Sequence, residues 1–318
     1  MSNRSPTQAS TIRTTLPVID LAGHRAGNRR ATSEAAAQIH TALTEVGFLS
    51  IVGHGVPWAQ VRSIYDWAAE YHALPTAAKL DHPMGPTTMG YLPLGGAQRG
   101  DAPPALNAAF FMGRPGSHRN RFPQPDSLPG FDEAVADYYR VMDRLGHHLL
   151  PLYSIAVGMP SRYFDQFFDP ALATLRMTHY PAMPADDGQW GIDPHADAGY
   201  MTMLPSNPVA GLQIQGPDGT WFDVDQEPES FVVNAGDMLR RWSNDRFLST
   251  RHRAKNTSDS DRYAIPFFFD PRVDSVIDPV PSCVGPGEAK RYEPLVYRDH
   301  LTGFMQDGYA ATRPEVAG

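Results

Sequence analysis

The chain has 318 residues, of which 42% are hydrophobic and 10% aromatic, enough for an ordinary globular protein with a large core. Its formal net charge of -8 argues against nucleic acid as the main partner, because phosphate binding needs a basic surface. No apolar run approaches the roughly 18–20 residues that cross a bilayer, MSNRSPTQASTIRTT has no signal-peptide core, and the single cysteine, Cys283, excludes an internal disulfide or thiolate-cage zinc site. These features together predict a cytoplasmic protein in a reducing compartment, working without nucleic acid or membrane.

Residues 1–15 are expected to be flexible. LPVIDL (16–21) reads as a short strand, and a helix is predicted over Ser33–Val46, with Ile39, Leu43 and Val46 on one face and Gly47 as its stop. FLSIV (48–52) alternates like a strand, and Pro57 opens a second helix to about Ala73. The Pro- and Gly-rich stretch 81–130 is expected to be mostly loop, apart from a strand over Asn107–Met112. Phe131, Val135, Tyr138, Met142, Leu145, Leu149, Leu152 and Ala156 step by fours and threes along one long helix, which Pro151 should kink or break.

The pattern changes at about Leu172. Short strands separated by turn residues are predicted over Thr174–Tyr180, Tyr200–Leu204, Gly211–Gln215, Thr220–Val224, Ser230–Asn234, Asp237–Trp242, Thr250–Asn256 and Arg262–Phe269. The turn Gly216-Pro-Asp-Gly219 joins two of them as a hairpin. Closely spaced strands after a helical half predict a mainly β protein with flanking helices (α+β): a jelly-roll (double-stranded β-helix) core behind an N-terminal helical region.

One stretch in this half carries chemistry. GQWGIDPHADAGY (188–200) contains the only His-x-Asp of the chain, His195-Ala196-Asp197. In extended backbone, residues two apart point the same way, so an imidazole and a carboxylate share a face and can grip one cation. His252, in FLSTRHRAKN, is the candidate third ligand, 55 residues after Asp197 (252 minus 197), a separation that opposed strands can close. Two imidazoles and one carboxylate on one side of a metal, with the other positions open, is the ligand pattern of non-haem iron(II) oxygenases. A His-x-Asp alone is weak; the strand context and the distant histidine give it weight.

HADAGYMTML, GLQIQGPDGTWFDV, FVVNAGDMLRRWSNDRFLSTRHR and RYAIPFFFDP resemble the core of the iron(II)- and 2-oxoglutarate-dependent dioxygenases, and most resemble the branch that includes isopenicillin N synthase and plant oxidases. LPVIDL, EVGFLSIVGHGVP and YHALP are similar to the helical half of that branch, so the likeness runs over about residues 16–305. It implies a mixed helical region at 16–130, a long supporting helix at 131–170, a jelly-roll dioxygenase core at 172–272, and a C-terminal extension at 273–318 covering the site. It also implies Fe(II), 2-oxoglutarate and O2, with oxidation (hydroxylation, desaturation or cyclisation) of a small-molecule metabolite, succinate and CO2 as co-products, and a setting in secondary metabolism. A monomer or weak homo-oligomer is expected. The metal triad would be His195, Asp197 and His252. Arg262 would anchor the co-substrate carboxylate, with help from Tyr180 and from Thr178 on the same strand face.

The chain departs from the family pattern Arg-x-Ser, because it reads Arg262-Tyr263-Ala264. A hydrogen bond to a charged group is worth about 1.5–3 kcal/mol, so weaker 2-oxoglutarate binding is expected unless Thr178 or Tyr180 compensates. The same departure keeps open an oxidase of the isopenicillin N synthase or ethylene-forming kind, which uses the triad without 2-oxoglutarate. A non-catalytic jelly-roll binding protein is a further alternative. The substrate cavity is expected between the barrel mouth, segment 85–112 and the stretch Glu293–Met305, lined by Tyr91, Asn107, Phe110, Phe268 and Tyr297. His54, in a Gly-His-Gly-Val turn, reads as structural.

Overall fold

A computed structural model describes residues 12–85, 89–98, 102–183 and 189–308. Residues 1–11, Gly188, 309–318 and parts of segment 85–112, all included in the expectations above, lie outside the described residues. The first half runs β1 (Ile12–Thr15), β2 (Val18–Asp20), α1 (Ala22–Arg25), α2 (Arg29–Glu45), β3 (Phe48–Val52), α3 (Trp58–Ala73), α4 (Thr76–Leu80), β4 (Tyr91–Leu92), β5 (Ala108–Met112) and α5 (Phe131–Ala156). The second half runs β6 (Leu172–Tyr180), β7 (Ile192–His195), β8 (Met201–Pro205), β9 (Leu212–Gln215), β10 (Trp221–Asp225), β11 (Phe231–Ala235), α6 (Asp237–Trp242), β12 (His252–Ala254), β13 (Arg262–Ala264), β14 (Phe267–Asp270), β15 (Val276–Ile277), β16 (Leu295–Val296) and α7 (Tyr297–Gly308).

These strands form a jelly roll of two main sheets. The larger has the order β2-β3-β11-β8-β14-β6-β5-β4, with β13 also paired to β6; the smaller has the order β1-β10-β9-β12-β7. Period-2 alternation gives each strand of the larger sheet two faces. Ala173, Leu175 and Met177 of β6, Phe267 and Phe269 of β14, and Met201 and Met203 of β8 face outward into a core shared with α2, α3 and α5. Between the sheets, Phe48 and Val232 meet Leu16, Leu212, Ile214 and Val224. Polar residues of the inner faces are thereby left around the open end of the roll. No helix among the described residues is long and apolar enough to cross a membrane.

Local chemistry explains where the expectations held and where they failed. α2 begins four residues earlier than predicted, because the Asn28 side chain accepts from the Arg30 and Ala31 N–H groups and caps it there. Residues 12–15, expected to be flexible, form β1, held in parallel register from Ile12↔Phe222 to Thr15↔Asp225. α5 is not broken at Pro151: it continues from Phe131 to Ala156, with Leu149, Leu150, Leu152 and Tyr153 buried around the proline. That burial offsets the missing backbone donor. Asp237–Trp242, predicted as a strand, is the helix α6, whose Met238, Leu239 and Trp242 are buried at helical spacing. Arg262–Phe269 is divided into two strands at Ile265-Pro266, where the proline has no N–H to give the ladder, although both strands keep one register with β6.

Candidate metal centre

His195 ends β7 and His252 opens β12, and the two residues are directly paired across the smaller sheet. Their ring centroids lie 4.3 Å apart. Asp197 lies two residues beyond His195, in the turn that leads to β8. Its Oδ1 is 3.5 Å from His195 Nε2 and 3.6 Å from His252 Nε2. One donor atom from each residue lies within 4.8 Å of the other two, which suits one shared cation.

The groups behind these donors fix their orientation. His195 Nδ1 lies 2.7 Å from the Asp193 carbonyl and His252 Nδ1 lies 3.2 Å from the Thr250 carbonyl. A carbonyl can only accept, so both rings donate from Nδ1, and each Nε2 presents its lone pair toward Asp197. On the carboxylate, Oδ2 accepts from Thr202 Oγ1 at 2.6 Å and from Asn234 Nδ2 at 2.8 Å, leaving Oδ1 to the imidazoles. Burial pushes the Asp197 carboxyl up, but His252, His195 and the Asn234 amide outweigh it and hold the group well below the usual carboxylate range. Two imidazole nitrogens and a carboxylate oxygen therefore converge on one point, a donor set that fits iron(II).

A second polar group lies on the adjoining wall. Arg262 is only 2% exposed, and its Cζ stands 4.8 Å over the Tyr180 ring. Nε donates to the Val209 carbonyl at 3.2 Å, whereas Nη1 is buried without a partner. Thr178 Oγ1 is likewise buried and unpartnered. Register places these donors side by side: Arg262 pairs with Tyr180 and Ala264 with Thr178. Unsatisfied buried donors are costly, and a guanidinium and a hydroxyl two rungs apart on one sheet face fit a carboxylate.

The remaining sequence candidates separate by strand face. Phe268 pairs with Thr174 and Thr202, faces inward and is half-buried. Asn107 is fully buried, donating to the Gly191 carbonyl at 2.5 Å and accepting from Arg176 Nη2 at 2.8 Å. Tyr91 and Phe110 do not line the cavity. They are directly paired with each other and face the helices, where Tyr71 packs against both. Tyr297 is fully buried in the principal core. His54 is structural, with Nδ1 accepting from the Val56 N–H and Nε2 beside the Glu229 carbonyl.

Sequence reasoning missed four residues: Thr202, Asn234, Arg176 and Phe111. Arg176 and Thr178 share a strand parity, so the signal for Arg176 was present in LRMTHYP. Its guanidinium lies 5.2 Å from the Phe111 ring, inside the roll. Asn234 could be found only from register, since β11 brings it opposite Thr202.

Comparison with known proteins agrees with this geometry. The 2OG-Fe(II) oxygenase superfamily matches residues 171–271, and the N-terminal region described as that of a non-haem dioxygenase in morphine synthesis matches residues 16–130. The 2-oxoglutarate-Fe(II) type oxidoreductase HxnY of Emericella nidulans is 30% identical over 315 residues, covering 92% of this chain and 90% of the relative. The chain belongs to the 2OG-Fe(II) oxygenase superfamily. Among solved structures of this superfamily, Neurospora crassa T7H in complex with alpha-KG and thymine is 26% identical, with a TM-score of 0.84 over 90% of this chain and 95% of that one. JOX2 in complex with 2OG, Fe and JA is 27% identical, with a TM-score of 0.79 over 97% of this chain and 90% of that one. This 2OG-Fe(II) oxygenase is accordingly a dioxygenase that uses iron(II), 2-oxoglutarate and O2 to oxidise a small molecule, and the reading without 2-oxoglutarate finds no support.

Proposed function

We propose that His195, Asp197 and His252 bind the iron, and that Arg262, Thr178 and Tyr180 hold the distal carboxylate of 2-oxoglutarate. The observation that carries this reading is the paired register of two neighbouring walls: His252↔His195 in one sheet and Arg262↔Tyr180 in the other. Bound there, iron(II) and 2-oxoglutarate supply O2 activation, with oxidative decarboxylation to succinate and CO2.

The protein's own residues then orient and shield. Asp197 supplies negative charge, and Thr202 and Asn234 prevent its carboxylate from turning. Arg262 fixes the co-substrate through a planar guanidinium whose fork of donors matches a carboxylate. Phe268 and Phe111 exclude water from the inner face. Arg176, only 5% exposed and on the same face as Thr178, places a cation one step along β6 from the co-substrate cradle. We therefore propose a small substrate bearing a carboxylate or carbonyl oxygen, and hydroxylation as the outcome. Thymine and JA in the two solved relatives are consistent with a cavity of this scale. The acidic net charge and lone buried Cys283 support a monomeric enzyme in the cytoplasm.

The test is a screen of O2 consumption with Fe(II), ascorbate and 2-oxoglutarate across small carbonyl and carboxylate compounds. His195→Ala, Asp197→Ala and His252→Ala should each abolish turnover and lower metal affinity while leaving the circular dichroism unchanged. Full turnover in any of the three removes that residue from the site. Arg176→Leu should raise KM for the primary substrate at least ten-fold and leave substrate-free 2-oxoglutarate turnover unaltered; an unchanged KM would refute the anchor.

A further inference from the structure

The turn that carries Asp197 is held from behind by a group the chemistry above does not use. Asp270, at the end of β14, is 7% exposed, and its Oδ1 accepts from the Tyr200 N–H at 2.6 Å. The approach is so close that a Cβ on Gly199 would lie 2.1 Å from the same oxygen. On the next residue back, His300 Nε2 lies 3.0 Å from the Ala198 carbonyl. His300 belongs to α7, whose start is pinned by Tyr297 N–H to the Ser275 carbonyl at 3.0 Å and by Arg298 N–H to the Val273 carbonyl at 2.9 Å. The Tyr297 hydroxyl lies beside the Asp270 carboxyl without a well-directed hydrogen bond to it.

The third grip comes from α6. The Asp237 N–H donates to the Asp197 carbonyl at 2.7 Å, and the Met238 N–H reaches the Ala198 and Gly199 carbonyls at 3.2 and 3.1 Å. Asp197, Ala198, Gly199 and Tyr200 are thus each tied, by backbone atoms, to α6, β14 or α7. A buried carboxyl is an expensive way to accept one amide hydrogen bond, and burial shifts Asp270 up to about 7, with a smaller push from Asp197.

We infer that Asp270 and His300 are positioning residues for the metal site: they clamp the 197–200 turn so that the Asp197 carboxylate meets the two imidazoles in a fixed geometry. The C-terminal segment thereby contributes to iron affinity without touching iron. The inference rests on the reading of Asp197 as a ligand.

Mn(II) alone, titrated into the full-length apoprotein by calorimetry, tests it. Loss of an orienting group behind a metal ligand typically costs about 10–100-fold in affinity. Asp270→Ala should fall in that range, and His300→Ala should weaken Mn(II) binding at least three-fold. Asp270→Asn keeps an oxygen that can accept from the Tyr200 N–H, so its affinity should stay within about five-fold of wild type, a rescue that general destabilisation would not produce. His300→Ala and Asp270→Asn remain informative if Asp270→Ala does not fold. Wild-type Mn(II) affinity in both alanine variants overturns the inference, and so does an asparagine variant weakened about ten-fold or more. Asp197→Ala run alongside separates the two claims: if it still binds Mn(II) normally, the ligand assignment fails, whereas its loss with Asp270→Ala unaffected sinks the clamp alone.

Discussion

Arg262 keeps one guanidinium nitrogen unpaired in a site where water does not reach it, and Thr178 keeps a hydroxyl in the same condition two rungs away. Where relatives of the family pattern carry serine, this chain has Ala264, and the residue opposite it on the ladder is Thr178. The hydroxyl is therefore present, but on β6 instead of β13. A hydrogen bond to a carboxylate is worth about 1.5–3 kcal/mol, so Thr178→Val should weaken 2-oxoglutarate binding by about 10–100-fold in an anaerobic titration. Ala264→Ser should tighten it, and placed in the Thr178→Val background it should restore most of the loss. No gain in either background would mean that the rung does not face the co-substrate. Arg262→Leu should act mainly on KM for 2-oxoglutarate. His195, Asp197 and His252, which the structure brings together, were legible in the sequence from a motif and its strand context, and Arg262 entered only through the family resemblance. Tyr91 and Phe110 were not legible. In Ala108–Met112 every residue is buried, so no alternation marks the cavity side, and only the pairing with Thr178 and Arg176 selects Ala109 and Phe111.

At the scale of elements, what failed was the shortest pieces. Asp237–Trp242 has too few residues for periodicity to separate a helix from a strand, and its identity is decided by tertiary contacts, namely the backbone bonds from Asp237 and Met238 to the Asp197 turn. The stripe of α5 was legible for the opposite reason, since it is repeated over many turns, although the helix ends at Ala156 and not at about residue 170. Its packing onto β14 is tight at one point. A Cβ on Gly146 would lie 2.5, 2.6 and 2.7 Å from three atoms of the Phe269 ring. Overpacking of this kind costs about 1–3 kcal/mol, so Gly146→Ala should lower the urea midpoint by that equivalent while leaving Mn(II) affinity, which depends on the far side of β14, unchanged. A midpoint equal to wild type would show that the helix can slide to admit the methyl.

Across the whole molecule, buried imidazoles set the acid limit. Burial lowers the pKa of His72, to about 3, and also lowers those of His54, His82 and His148. Each takes up its proton at a lower pH in the fold than in the unfolded chain, where a histidine titrates at about 6.5. The unfolded state then binds more protons, so the stability these groups contribute is complete above that pH and is lost as pH falls toward the folded values. Asp270 works in the opposite sense: raised to about 7, it favours folding most at low pH and loses that contribution between about 4 and 7. One carboxyl against four imidazoles leaves a net loss, so Tm should drop steadily from pH 6.5 to pH 5, and His72→Gln should flatten the drop. An equal Tm at both pH values would count against buried neutral histidines.

The turn bearing Asp197 has one further consequence. Its backbone is tied to α6, β14 and α7 at once, with no room for a methyl at Gly199. The opposite wall is the inner face of β6, β5 and β14, where Thr174, Arg176, Phe111 and Phe268 stand on backbone held by the regular sheet ladder, which does not depend on side-chain identity. Laboratory evolution toward new substrates should accordingly accumulate its successful changes on that wall and almost none around the turn, whatever compound is used for selection.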